Sequence, residues 1–261
     1  MFKQLYKYLA YISIFLAVFI SNFSELNAQI LDVKSLKAYQ LSMPRVSAAF
    51  SKNNLKLKEE FLKKGLDYNN SELYLRSFKA LNELEVWVKN NDADTFTLFK
   101  KYNVCALSGV LGPKRAEGDR QVPEGFYFIT DFNPKSDFHL SMYVNYPNYA
   151  DKIFGSKIKL GGDIYIHGGC LTVGCLPMTD DVIQEIYVLC LNSRLNGQTN
   201  IPIHIFPTRL DRSGLTFLGK EFKNDIIKQK FWVNIKPAYD YFEKTRTLLP
   251  VMYDPDGKYV F

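Results

Sequence analysis

Cysteine is scarce in this chain: Cys105, Cys170, Cys175 and Cys190 are the four among 261 residues. That excludes a small disulfide-built scaffold, and a chain of this length does not need staples to bury a core. A basic block is also missing. The 33 Lys and Arg set against 27 Asp and Glu leave a charge of +6 spread along the chain. Such a mild excess fits contact with an acidic surface or polymer and gives no case for nucleic acid. No internal repeat and no low-complexity segment occurs, and after the first thirty residues no apolar run is long enough to span a bilayer. The 47% hydrophobic and 15% aromatic content argues against disorder.

The first residues carry Lys3 and Lys7, an uncharged apolar run from Leu9 to Ile20, then a polar stretch ending at Ala28. This is the layout of a secretory leader cleaved after Ala28. The rival reading is a retained anchor, but the run of about 12 residues falls short of the roughly 20 that cross a bilayer. A protein exported to the periplasm or cell envelope, with no membrane span after processing, is the expectation.

From Val33 to Leu66 the pattern is helical: Pro44 starts a helix, Gly65 stops one, and Leu55, Lys58, Phe61 and Leu62 are expected on one side. At Glu72 the period changes to two, and "ELYLRSF", "ELEVWVK" and "TFTLFKKYNV" read as a three-stranded meander. "SGVLGPKRAEGDRQVPEG" follows as a long irregular loop, of the kind that is commonly functional. "FYFITDF", "FHLSMYV", "DIYIHG" and "IPIHIF" are further strands. A helix capped by Thr179 runs to Asn196, and a last amphipathic helix covers Glu221 to Leu249.

The chemistry concentrates in "DIYIHGGCLTVGCLPMTDD". Strand alternation puts Asp163, Tyr165 and His167 on one face and Ile164 and Ile166 on the other. A loop then brings the chain to Cys175, close enough to set thiol against imidazole. Such a pair supplies a nucleophilic sulfur with its base. The amides of Gly174 and Cys175, near a helix start, are candidate donors to an oxyanion. Spacing alone leaves two alternatives open: a Cys170–Cys175 disulfide, and a zinc site from His167, Cys170 and Cys175.

"IHGGCLTVGC" resembles the active-site signature of the L,D-transpeptidase catalytic domain (YkuD-type) family, in its YafK-like branch. Val173 stands where most of that family carries a second histidine, as in this branch. "PRVSAAF", "ELEVWVK", "CALSGVLGPKRAEGDRQVPEGFYFI", "HLSMYVNYPN", "MTDDVIQEIY" and "IPIHIFP" follow the same branch in order, over about residues 44 to 210. The resemblance implies an α+β, mainly β fold: an L,D-transpeptidase-like β-sandwich with a helical N-terminal lead-in and a C-terminal helix. The implied organisation is a leader over 1–28, a lead-in over 29–70, a catalytic domain over 71–210 and a C-terminal helical extension over 211–261 packed on it.

It further implies Cys175 as nucleophile, His167 as base and a backbone carbonyl around Gly168 that orients the imidazole. The substrate class implied is the peptidoglycan stem peptide, attacked at the L-centre of its diamino acid through a thioester, with no metal or organic cofactor. Transfer to an amine, hydrolysis that releases peptide or an attached protein, and a binding protein without chemistry are the three functional readings. In the loop, Lys114, Arg115 and Arg120 are candidates for the stem-peptide carboxylates, Arg120 first. His139, Tyr146 and Asn148 are candidate substrate contacts. Tyr127 reads as core, His204 as a strand residue, Cys105 and Cys190 as buried thiols, and Cys170 has no assigned role.

Overall fold

The computed structural model describes residues 33–261; the expected leader over 1–28 lies outside them. The chain divides at Met43. In the first unit the described residues 33–42 form helix α1, and the second unit is Pro44–Phe261. No helix among the described residues is long and apolar enough to cross a membrane.

Helix α2 (Pro44–Lys63) begins at its proline and ends before Gly65, which takes a positive φ of 69°. Its buried stripe is Val46, Ala49, Asn53, Leu57 and Phe61. The expected face was one step out of phase: Leu55 and Leu62 are exposed. The lysines and glutamates between them leave the helical phase weakly marked, so tertiary packing sets it.

Strands β1 (Ser71–Phe78), β2 (Glu83–Asn90) and β3 (Thr97–Asn103) form the expected antiparallel meander. Next come β4 (Gly125–Asn133), β5 (Ser141–Val144), the short helix α3 (Tyr149–Phe154), β6 (Tyr165–His167) and β7 (Leu176–Pro177). Helix α4 (Asp180–Leu195) leads into β8 (Ile201–Phe206). All eight strands join in one sheet, ordered β3-β2-β1-β8-β4-β5-β6-β7, with β1–β8 and β6–β7 parallel and the rest antiparallel. The inserted β8 explains why "IPIHIF" is buried almost throughout: it has neighbours on both sides.

Helices cover both faces. Helix α2 packs on α4, and α4 packs on β1, β5 and β6. On the opposite face lie α5 (Arg212–Glu221) and α6 (Ile226–Thr245). Trp232, Ile235 and Tyr239 join Phe78, Phe126 and Phe206 in one core, and Phe242 joins Tyr74, Trp87 and Phe96 in another. The helix expected over 221–249 is α6, a few residues shorter at each end, and α5 before it was not foreseen. The Asp225 side chain accepts Lys228 N–H at 3.0 Å and starts α6 afresh, as Asp211 starts α5 by accepting from Gly214. The end of the chain forms a hairpin of β9 (Met252–Tyr253) and β10 (Tyr259–Val260). The fold is α+β as expected, with a larger helical share than a mainly β reading suggests, since α2 and α6 hold 20 residues each.

Candidate active site

In β6 the alternation holds. Ile164 and Ile166 are buried at 2% and 0% exposure, while Asp163, Tyr165 and His167 line a cleft of about 270 Å³ together with Cys175. Strand register extends that face across the sheet. Asn133 pairs with Ser141 and Ser141 with His167, while Asp131 pairs with Tyr143 and Tyr143 with Tyr165. Two rows of side chains therefore cross β4, β5 and β6, and Cys175 lies beside Tyr165, whose amide donates to its sulfur at 3.4 Å.

His167 is fixed from its own backbone and from the loop before β5. Its Nδ1–H donates to the Gly168 carbonyl at 2.6 Å. A carbonyl only accepts, so Nδ1 carries the proton and Nε2 of the neutral ring is the free acceptor. Phe138 covers the imidazole with ring centroids 4.7 Å apart, and the Phe138 carbonyl accepts Gly168 N–H at 3.0 Å. A Cβ at Gly168 would meet Asp180 Oδ1 at 2.6 Å and Phe138 O at 2.9 Å, so the turn after the histidine has room only for glycine. The Phe138 loop is held in turn by Arg45 of α2, which donates to the carbonyls of Ser136 (2.6 Å) and His139 (2.9 Å). Ser141 and Arg45 escaped the sequence reading. The strand register that points to Ser141 joins segments far apart in the chain, and Arg45 looks like any basic residue at a helix start.

Cys175 is a half-buried free thiol that donates to the Asp163 carbonyl at 3.4 Å. Burial pushes this thiol above its ordinary value of 9.0, and burial lowers His167 below 6.5. Both shifts favour neutral forms, so the resting pair is thiol and imidazole rather than an ion pair. Thr172 clamps the backbone of the cysteine: Cys175 N–H donates to Thr172 Oγ1, and Thr172 O–H donates to Cys175 O, each at 2.9 Å. Gly174 N–H donates to Ser108 Oγ at 2.6 Å. The two amides expected to face an oxyanion are thus already occupied by hydroxyls. Gly168 contributes its carbonyl, its amide being used by Phe138 and Leu140.

Cysteine pairing corrects two readings. Cys170 is bonded to Cys105 across 65 residues, so Cys105 is not a buried thiol, and Cys170 is neither Cys175's disulfide partner nor an available zinc ligand. Cys190 is buried as expected.

Several candidate substrate contacts have structural duties instead. Lys114 is 5% exposed and donates to Ala116 O and Asp119 Oδ1. Burial of an amine so close to its carboxylate is a structural pairing rather than a free hand for substrate. Arg115 pairs with buried Asp151 at 3.4 Å. Tyr146 is 1% exposed, its hydroxyl directed at the Lys114 and Leu160 carbonyls. Asn148 caps α3 and donates to Phe126 O and Tyr259 Oη. His139 receives a hydrogen bond from Gln184 at 2.8 Å and stands beside Gly168. Arg120 is exposed and forms no ion pair among the described residues. Tyr127 is core, bonded to Asp151, and His204 is a strand residue bonded to Tyr74 at 2.9 Å, its pKa pulled down to about 3 by burial.

Residues 81–205 match the model of the L,D-transpeptidase catalytic domain, YkuD. The chain is 33% identical over 192 residues to the protein named "Putative L,D-transpeptidase YafK" of Escherichia coli (strain K12), covering 73% of this chain and 74% of that one. The protein of the same name in Escherichia coli O157:H7 matches equally. Among solved structures, the helical cell shape determining protein Pgp2 from Campylobacter jejuni is similar at 21% identity with a TM-score of 0.43, over 58% of this chain and 55% of that one. Bd1075 of Bdellovibrio bacteriovorus is similar at 20% identity with a TM-score of 0.39, over 72% of this chain and 64% of that one. The chain thus spans little more than half of the Pgp2 structure. On the extent and identity of the match to YafK, this protein belongs to the L,D-transpeptidase catalytic domain family.

Proposed function

We propose that this protein is an exported cysteine enzyme that remodels peptidoglycan by acyl transfer at the L-centre of the stem-peptide diamino acid. One observation carries the reading. The Cys175 thiol and the His167 imidazole open on one cleft, and the Gly168 carbonyl holds Nδ1 so that the basic Nε2 is the nitrogen left free. Sequence similarity to a protein named as an L,D-transpeptidase supports the substrate class.

In this reading Sγ–H gives its proton to His167 Nε2 as sulfur attacks the substrate carbonyl. The tetrahedral intermediate collapses, the C–N bond breaks, and the proton on Nε2 passes to the departing amine. The resulting thioester then goes to a second amine, or to water with release of peptide or attached protein. The oxyanion takes the amides of Gly174 and Cys175 as Ser108 and Thr172 yield them.

Incubation of purified protein with stem-peptide muropeptides, followed by mass spectrometry, tests this. Wild type should release or exchange the residue beyond the diamino acid. Cys175→Ala should do neither, and His167→Gln should lower the rate by about 10²–10⁴-fold. Turnover by Cys175→Ala at the wild-type rate would refute the assignment. No turnover by wild type, with no acyl adduct from a carbapenem, would leave a binding protein.

A further inference from the structure

Beyond the sulfur and imidazole, the cleft has a chemistry of its own. Asp137 and Asp163 line it beside the candidate catalytic pair, and Asp131 lines an adjoining recess that shares Asn133 and Tyr165 with it. Among the described residues no lysine or arginine lines either recess, on a chain whose net charge is +6. Tyr143 and Tyr165 stand side by side on the sheet with ring centroids 5.4 Å apart. Both phenols are raised, by burial first and then by Asp163 and Asp131, so these two carboxylates act on the same ring pair. Asp131 accepts one hydrogen bond, from Thr130 Oγ1 at 3.0 Å, and the Asp163 carboxylate has no partner among the described residues.

A second feature points at a ligand independently of charge. Ser141 is 3% exposed and lines the cleft next to His167 in the strand register. Its hydroxyl has no hydrogen-bond partner among the described residues. The hydroxyl is not fully enclosed, so on a side chain otherwise packed away it is the part that faces the cleft and is open to a ligand.

We propose that Asp131, Asp163, Tyr143 and Tyr165 form a subsite for a primary ammonium group on an alkyl chain, with Ser141 holding the adjacent peptide group. Carboxylates attract the cation, and tyrosine faces add a cation–π contact while accommodating the methylenes that carry it. Reach identifies the amine. The Tyr165 amide donates to Cys175 Sγ at 3.4 Å, and Tyr143 lies one strand further on, with its ring 5.4 Å from that of Tyr165. An ammonium seated there is a few methylenes from a carbonyl under attack. That span is the one between the carbonyl and the far amine of a diamino acid side chain. The assignment rests on Cys175 as the acylated residue, and its test is separable from that reading.

The test uses Cys175→Ala protein and calorimetric titration with two stem tetrapeptides, one with the far amine of its diamino acid free and one with it acetylated. The free-amine peptide should bind about tenfold more tightly. Adding Asp131→Asn and Asp163→Asn should shrink that ratio below about twofold, with little change for the acetylated peptide. Both aspartates are exposed, and an unchanged thermal midpoint will confirm that the variants fold. Ser141→Ala should weaken both peptides alike, by about 2–10-fold, and keep their ratio. Equal binding of the two peptides, a ratio that survives loss of the carboxylates, or no binding of either overturns the proposal. A tenfold ratio in Cys175→Ala protein, with no turnover by wild type, would instead sink the enzymatic reading and keep the subsite.

Discussion

At the residue scale, the candidate pair is set by burial more than by mutual attraction. Burial pushes the thiol up and the imidazole down, so both are uncharged at rest, and in the proposed reaction the proton moves as the sulfur attacks. The pH dependence follows. In the proposed reaction His167 is base only when unprotonated, and its pKa lies below the ordinary 6.5. Above that lowered value the neutral ring dominates and kcat/KM holds level. As pH falls through it, the imidazolium forms and kcat/KM falls. A pH–rate profile on a stem tetrapeptide should therefore show an acid limb centred below 6.5; a limb at or above 6.5 contradicts a desolvated base. His167, Cys175 and the Gly168 carbonyl were legible because they lie within nine residues on one strand and its loop. Ser141, Tyr143 and Asp131 were not, since their adjacency depends on the register of β4, β5 and β6. Lys114 and Tyr146 were misread for the opposite reason: a polar residue in a loop gives no local sign that the loop folds over it.

At the element scale, the long segment between β3 and β4 is irregular yet well organised, because it wraps a buried ion pair. Lys79 Nζ sits 2.9 Å from Glu124 Oε1, both side chains fully buried. Lys79 also donates to the carbonyls of Val110, Gly112 and Val122, while Glu124 accepts from Gly112 N–H and Trp232 Nε1. One amine and one carboxylate thus tie this loop to β1's end and to α6. Lys79→Met leaves Glu124 charged and uncompensated, which should cost about 3–5 kcal/mol in urea unfolding. In the double variant Lys79→Met, Glu124→Gln the loss should be smaller than the sum of the two single losses, because the stranded charge is gone. Additive losses would mean that the two groups act independently. The strands, α4 and α6 were readable from periodicity and the Thr179 cap, whereas α5 was not. Its ten residues include Gly214 and Gly219, which weaken the helical signal, and only the Asp211 cap marks its start.

At the scale of the whole molecule, the two ends of the sheet meet. Strand β3 begins the strand order and β7 ends it, yet Cys105 N–H, just after β3, donates to the Pro177 carbonyl of β7 at 2.8 Å. The Cys105–Cys170 disulfide joins the same two regions, with Cα atoms 5.2 Å apart. Cys170 N–H in turn donates to Met178 O, and Met178 N–H to His167 O, so the bond reaches the candidate catalytic loop through two backbone contacts. Closing a 65-residue loop removes enough freedom from the unfolded chain to stabilise the fold by about 4 kcal/mol in the chain-entropy account. Reduction with dithiothreitol should therefore lower the urea midpoint of the wild type by an amount equivalent to about 2–4 kcal/mol. Cys105→Ser, Cys170→Ser should start at that lower midpoint and be insensitive to reductant, which separates loss of the bond from any effect on Cys175. Stem-peptide turnover should fall in both forms alike, because the loop that presents Cys175 loses its tether to the far end of the sheet. If the midpoint falls but turnover does not, the disulfide stabilises the curled sheet without positioning Cys175. If neither changes, the backbone bond between Cys105 and Pro177 holds the two ends together unaided.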